Sequence, residues 1–288
     1  MVLEPQKRPM TVQDLMRHTA GLVYGQFGDA LIHNGYRAQN MTDRGQSLPE
    51  MITKLSRLPL AHQPGEVWEY SMATDVLGRV VEVVAGATLD AVIEERITKP
   101  LKMTSTAFWV QSADQDRVAE PQVDPATGKR TPMPDVTAKP RWLSGGGGLV
   151  STAADYLSFT NMLLNGGDGP DTRLLSSTTV RLMTADSLPP GLGYSQRAHA
   201  LMADLAPTPA AGQGFGLGFA VRTAAGRNPL PGSVGTYYWT GAFGPTFWVD
   251  PTEKLVGILM IQVPFADTGQ YRRAIRYLAY QALLDRVE

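Results

Sequence analysis

Three observations in the chain predict an α+β fold, with helices first and an antiparallel sheet after them. Apolar residues recur at helical spacing in several capped stretches as far as about residue 185. From about residue 213 the period drops to two, as in Phe215, Leu217, Phe219 and Val221, and it keeps that pattern to about residue 263. A last amphipathic stretch, Thr268 to Val287, is placed to cover the sheet. With 288 residues the chain can bury a large core without disulfides or metal. We read one domain, with a helical subdomain over about 10–185 and the sheet with its C-terminal helix over about 213–288.

Local signals support each element in turn. Thr11 reads as the N-cap of a helix to His18, with Asp14 three residues on as in a capping box, and Thr19-Ala20-Gly21-Leu22 stops it. Val23 to Ser47 is irregular and reads as a surface flap, and Leu48 to Leu58 as a second helix. Pro64-Gly65 marks a turn leading to Glu69-Tyr70-Ser71 and a long helix, for which Ser71 is the expected N-cap and Gly86 the C′ residue. Val76, Leu77, Val80, Val81, Val83 and Val84 give that helix its period. Tyr70 therefore sits at a helix N-terminus, where backbone N–H groups and the dipole favour an anion. A tyrosine beside Trp68 ahead of a helix also fits ordinary packing with a bonded hydroxyl.

Asp90 to Lys99 predicts another helix, with Val92, Ile93 and Ile97 inward, ending at Pro100. The Pro- and Asp-rich stretch Ala107 to Arg141 reads as a loop. Gly145 to Gly148 then feeds a helix over Ala153 to Leu164 that Gly166-Gly167 ends. These glycines carry no Gly-Lys-Ser/Thr ending and no dinucleotide pattern, so close backbone approach explains them better than a phosphate site does. Tyr237 to Gly241 and Thr246 to Val249 predict a hairpin, Leu255 to Val263 a buried strand, and Tyr271, Ile275, Leu278 and Leu283 the inner face of the final helix.

Composition narrows the function. With 43 % hydrophobic residues, 18 % charged and a net charge of −1, nothing favours nucleic acid or an anionic membrane as partner. No apolar run reaches membrane-span length, and the N-terminus lacks a signal core, so a cytoplasmic protein is expected. There is no cysteine, hence no thiol chemistry. His18, His33, His62 and His199 show no ligand spacing, and neither a metal nor another cofactor is expected. A Gly-x-Ser-x-Gly elbow is missing; Pro231-Gly232-Ser233-Val234-Gly235 lacks its first glycine.

Taken in order, Thr11 to Leu22, Pro64 to Ser71, Leu77-Gly78-Arg79-Val80-Val81-Glu82, Pro100-Leu101-Lys102-Met103 with Thr106, Gly146 to Asp155, and Phe215-Gly216-Leu217-Gly218-Phe219 resemble the serine β-lactamase-like superfamily. Within it the chain looks most like class C β-lactamases and family VIII carboxylesterases, over nearly its whole length. The resemblance implies a β-lactamase-like fold and three active-site boxes: Ser-x-x-Lys, Tyr-x-Asn, and Lys-Thr-Gly or Trp-x-Gly. Tyr70-Ser71-Met72 matches the second box at its base, Tyr70, while Met72 replaces the asparagine that meets the substrate amide. Trp239-Thr240-Gly241 matches the third in its esterase form, and the N–H of Ala242 would be an oxyanion-hole donor.

The first box is absent: each of the seven lysines has a residue other than Ser or Thr three positions earlier. By the resemblance that box lies ahead of Thr11, so an N-terminally truncated enzyme is expected, with its Ser-x-x-Lys segment cleaved, separate or missing. The resemblance implies a serine hydrolase that cleaves small carboxylic esters through an acyl-enzyme. The alternatives are a β-lactamase or penicillin-binding-type enzyme, and a truncated relative that binds its small-molecule ester or β-lactam without turning it over. An in-chain nucleophile, Ser71 or Ser144, has no lysine or histidine at helical spacing behind it.

Overall fold

The computed structural model describes residues 2–195, 206–263 and 268–283; His199 lies outside them. The helical part holds α1 (Val12–Met16), α2 (Leu31–Ala38), α3 (Leu48–Leu55), α4 (Ala73–Ala85), α5 (Leu89–Ile93), α6 (Ala153–Leu164) and α7 (Ser177–Thr184). Two short parallel strands, β1 (Val67–Trp68) and β2 (Gly193–Tyr194), tie the turn before Tyr70 to the stretch after α7. The main sheet runs in sequence order: β3 (Gln213–Phe215), β4 (Ala220–Arg222), β5 (Tyr237–Thr240), β6 (Thr246–Asp250) and β7 (Leu255–Leu259), all antiparallel. The helix α8 (Gly269–Gln281) follows. The fold is the expected α+β arrangement of helices and antiparallel sheet.

The caps read in the sequence form as hydrogen bonds. Thr11 Oγ1 accepts the Asp14 N–H while the Asp14 carboxylate accepts the Thr11 N–H, and Ser47 with Glu50 repeats the motif on α3. Gly86 closes α4 at φ 65°, the left-handed conformation in which a Cβ would be strained.

Several expectations are corrected. The flap at 23–47 contains α2, which has no side-chain cap and buries only Tyr36, so its sequence signal is slight. Ser71 does not cap α4. The cap position falls to Met72; the Ser71 hydroxyl meets no helix N–H, and the Ser71 N–H is held by His18 Nδ1 at 3.4 Å. Val81, Val83 and Val84 lie on the exposed side of α4, and its packed side is Ala73, Val76, Leu77 and Val80. Asp90–Lys99 is one turn of α5 that continues as a wider π-type turn over Glu94–Thr98.

Phe215 to Val221 is two strands joined by a turn rather than a single strand. The strand after Glu253 ends at Leu259 and is half-buried throughout. Its outer edge has no strand partner among the described residues. Helix α8 packs through Ile275, Ala279 and Tyr280, with Tyr271 and Leu278 exposed; residues 284–288 lie outside the description.

Alternation along the strands separates two cores. Val221, Tyr237, Phe247 and Val249 face Met162, Leu163 and Val180 of α6 and α7. Ala220, Tyr238 and Trp248 face the other way, onto Trp68, Phe215 and α8. Trp248 lies over Gly257, its cross-strand partner, so closely that a Cβ there would fall 2.1 Å from the indole. A third core fills the helical part, from Leu15 through Met51 to Phe108 and Leu143. Tyr70 packs on the helical core and on the α8 side of the sheet, while Trp239 packs on both sheet cores. The two rings thus stand where the three cores meet.

Candidate active site

Tyr70 is delivered by the β1 turn and the start of α4, Trp239 by the end of β5. Their rings lie 5.3 Å apart in a tilted contact, which places the Trp239 indole beside the Tyr70 side chain. The rest of the Tyr70 ring is enclosed by His18 at 4.8 Å, Tyr24 at 5.5 Å and Phe27 at 6.2 Å. Gly241 follows β5 in a turn closed by Gly241 N–H to the Pro245 carbonyl at 2.9 Å and Gly244 N–H to the Gly241 carbonyl at 3.1 Å. Ala242 sits exposed at this turn, and its N–H donates to no group of the described residues.

Met72 is fully buried in the helical core and has no solvent face. Ser71 is 1 % exposed and its hydroxyl has no partner, while Ser144 Oγ donates to Asp75 Oδ1 at 2.5 Å. His18 Nδ1 accepts the Ser71 backbone N–H rather than its hydroxyl, and Ser144 is bonded to a carboxylate, so among the described residues neither hydroxyl is hydrogen-bonded to a lysine or histidine.

The electrostatics of the pocket run against a phenolate. Burial pushes the Tyr70 pKa up, the neighbouring Trp239 indole opposes this, and the nearby Asp75 carboxylate adds to the rise. Asp75 is itself buried and shifted upward, mainly by desolvation, with relief from Ser144, the Gly146 N–H at 3.3 Å and the Tyr24 hydroxyl. Its Oδ2 keeps no well-formed hydrogen bond. Tyr24 is pushed well up by burial and by the charges of Tyr70 and Asp75. His18, enclosed and unpaired with any anion, is lowered to about 3 and stays neutral, accepting the Ser71 N–H. No ammonium or guanidinium contributes to the shift of Tyr70.

Of the residues the sequence singles out, the structure brings Tyr70 beside Trp239 and the Gly241–Ala242 turn that follows it, whereas Met72 lies in the helical core. Sequence reasoning missed His18, Tyr24 and Asp75. An acid in the first turn of a helix is an ordinary dipole partner, and a tyrosine in an irregular stretch carries no mark, so only the three-dimensional neighbourhood reveals them.

With this geometry in place, comparison with known proteins decides the family. The Beta-lactamase family profile matches residues 2–281. The chain belongs to that family. It is 37 % identical over 264 residues to protein Rv1367c of Mycobacterium tuberculosis, covering 90 % of this chain and 63 % of that protein. It is 29 % identical to the lovastatin esterase of Penicillium rubens, over 92 % of this chain and 67 % of the esterase. Among solved structures, EstCE1, a hydrolase with promiscuous acyltransferase activity, superposes with a TM-score of 0.76 at 26 % identity, over 95 % of this chain and 72 % of that one. The chain thus spans under two thirds of the length of its mycobacterial relative. No helix of the described residues is long and apolar enough to cross a membrane.

Proposed function

We propose that this chain carries the base and oxyanion side of a carboxylesterase of the β-lactamase-like, family VIII type. In this reading Tyr70, once ionised, takes the proton of a nucleophilic serine, and that serine's oxygen attacks the ester carbonyl. The charge gathering on the carbonyl oxygen is met by the Ala242 N–H, and the proton held by Tyr70 passes to the leaving alkoxide; water then cleaves the acyl-serine by the same steps. The observation that carries the reading is the Tyr70–Trp239 pair, 5.3 Å between rings, beside an exposed turn whose Ala242 N–H is unengaged.

The serine and its lysine are not among these 288 residues. A tyrosine titrates near pH 10, and serving as base at neutrality needs a drop of about three units, or about 4 kcal/mol, that an ammonium beside it would supply. We infer that a Ser-x-x-Lys segment beyond these residues completes the site and packs along the edge of β7, which has no strand partner among the described residues and whose N–H and C=O groups can accept an added strand. Ester preference follows from Trp239, an apolar wall where a lysine would hold a β-lactam carboxylate; Met72, expected to meet the substrate, is instead buried in the helical core and takes no part. The absence of Ser-x-x-Lys equally supports a second reading, a relative that binds esters without turnover.

Fluorophosphonate labelling followed by intact mass separates these readings. The chain alone should take no adduct. With a Ser-x-x-Lys segment added in trans, the adduct should appear on that segment, hydrolysis of p-nitrophenyl butyrate should exceed that of penicillins, and Tyr70→Phe should abolish it. No activity with any such segment would favour the binding-only reading, and an adduct on a serine of this chain would overturn both.

A further inference from the structure

We infer that Arg272 of α8 is a positioning residue for the oxyanion peptide; this rests on the ester-site reading above. Its Nη2 donates to the Gly241 carbonyl at 2.6 Å and its Nε donates to the Gly244 carbonyl at 3.3 Å. The Gly241 carbonyl and the Ala242 N–H belong to one peptide group. In a trans peptide these two dipoles point in opposite directions, so whatever fixes the carbonyl also aims the N–H. The guanidinium lies behind the peptide and turns the Ala242 N–H away from α8.

The contact does two further things. A charge-assisted hydrogen bond on a carbonyl draws electron density through the amide and makes its N–H a stronger donor. Because Arg272 grips the carbonyls at both ends of the 241–244 turn, it adds side-chain clamps to the two backbone hydrogen bonds that already close it. Gly244, at φ 109°, supplies the backbone reversal that brings its carbonyl to the same guanidinium. An oxyanion donor gains most when it needs no reorganisation as charge develops, and this clamp supplies that condition from a helix 31 residues along the chain.

The test reads the peptide itself. With ¹³C′-glycine and ¹⁵N-alanine labels, the Gly241 carbonyl and Ala242 amide signals are compared in wild type, Arg272→Met, Arg272→Lys and, as control, the exposed Arg273→Met. In R272M both signals should move upfield, and the affinity of the Ala242 amide for butyrate, the ester product anion, should fall about tenfold. R272K keeps a charged donor and should recover part of both, while R273M should match wild type. A general loss of packing would move alanine amides throughout the molecule and would not be recovered by lysine. Should R272M fail to fold, R272K decides alone: signals lying between wild type and the free-amide position support the assignment. Unchanged Gly241 and Ala242 signals in R272M, or in R272K where only it folds, overturn it. Butyrate leaving the wild-type Ala242 amide unmoved would instead overturn the ester-site reading, so the two failures are separable.

Discussion

Asp14 and Asp75 are both in the first turn of a helix and both buried, at 0 % and 1 % exposure, yet their surroundings are opposite. Asp14 receives Arg8 at 2.6 and 2.9 Å, Arg17 at 3.1 Å, the Thr11 hydroxyl and N–H, and the Thr19 hydroxyl. Burial alone would raise its pKa; these donors outweigh burial and hold it well below the usual carboxylate range. Asp75 has only neutral donors, and desolvation wins. One carboxylate is a finished brace between the N-terminal segment and α1. The other stands beside the proposed base with no cation among the described residues to balance it, and its charge works against the ionised form of Tyr70. The difference locates what the pocket lacks, a positive charge near Asp75 and Tyr70.

The comparison breaks most visibly at Asp14. Asp14→Ala leaves Arg17, 12 % exposed, without its carboxylate and removes the α1 capping box, and should cost about 3 kcal/mol in urea unfolding at pH 7. A loss under about 1 kcal/mol would show that Arg8 and Arg17 find other partners.

Next comes His18, which sharpens the contrast because it is a buried titratable group beside Tyr70 that is kept neutral. Its pKa of about 3 lies below the unfolded value of 6.5, so the unfolded chain binds a proton that the folded chain does not. Its effect on stability is nil above pH 6.5 and grows as pH falls through the window between 6.5 and 3. Between pH 6.5 and 4.5 this amounts to about 2 kcal/mol of lost stability. His18→Asn keeps a hydrogen-bond acceptor for Ser71 and a side chain tolerant of φ 57°, and it should flatten the stability–pH curve over that window. An unchanged slope would assign the acid sensitivity to other groups.

The smallest effect is at Asp75. Its folded pKa is raised, so it lowers stability as pH rises above its unfolded value near 4. Asp75→Asn keeps an acceptor for Ser144 and Gly146 and should stabilise the chain by about 1 kcal/mol at pH 7, with a smaller gain at pH 4. Destabilisation at pH 7 would mean that the negative charge is already balanced in this chain.

Much of the frame was legible because short-range chemistry dictates it. Thr11 with Asp14, Ser47 with Glu50, and the β5–β6 hairpin all lie within a few residues of their partners. Helix α7 carries little sequence signal: it opens on Ser177-Thr178-Thr179 and buries only Val180, although Ser176 caps it. The 215–221 stretch was misread because alternation survives across a hairpin turn containing Gly216 and Gly218. At the site, Tyr70 and Trp239 came from the boxes around them, whereas His18, Asp75 and Arg272 act through contacts 53, 69 and 31 residues away. No local pattern marks such pairs.

Tyr70 is held as a neutral phenol because no cation among the described residues stands beside it. Ultraviolet titration of tyrosinate in wild type and Tyr70→Phe, taken as a difference from pH 6 to 10, tests this directly. The account predicts no ionisation assignable to Tyr70 below about pH 10. A tyrosinate signal with a midpoint near pH 7 that disappears in Tyr70→Phe would contradict it, and would mean that these residues alone already lower the pKa of the base.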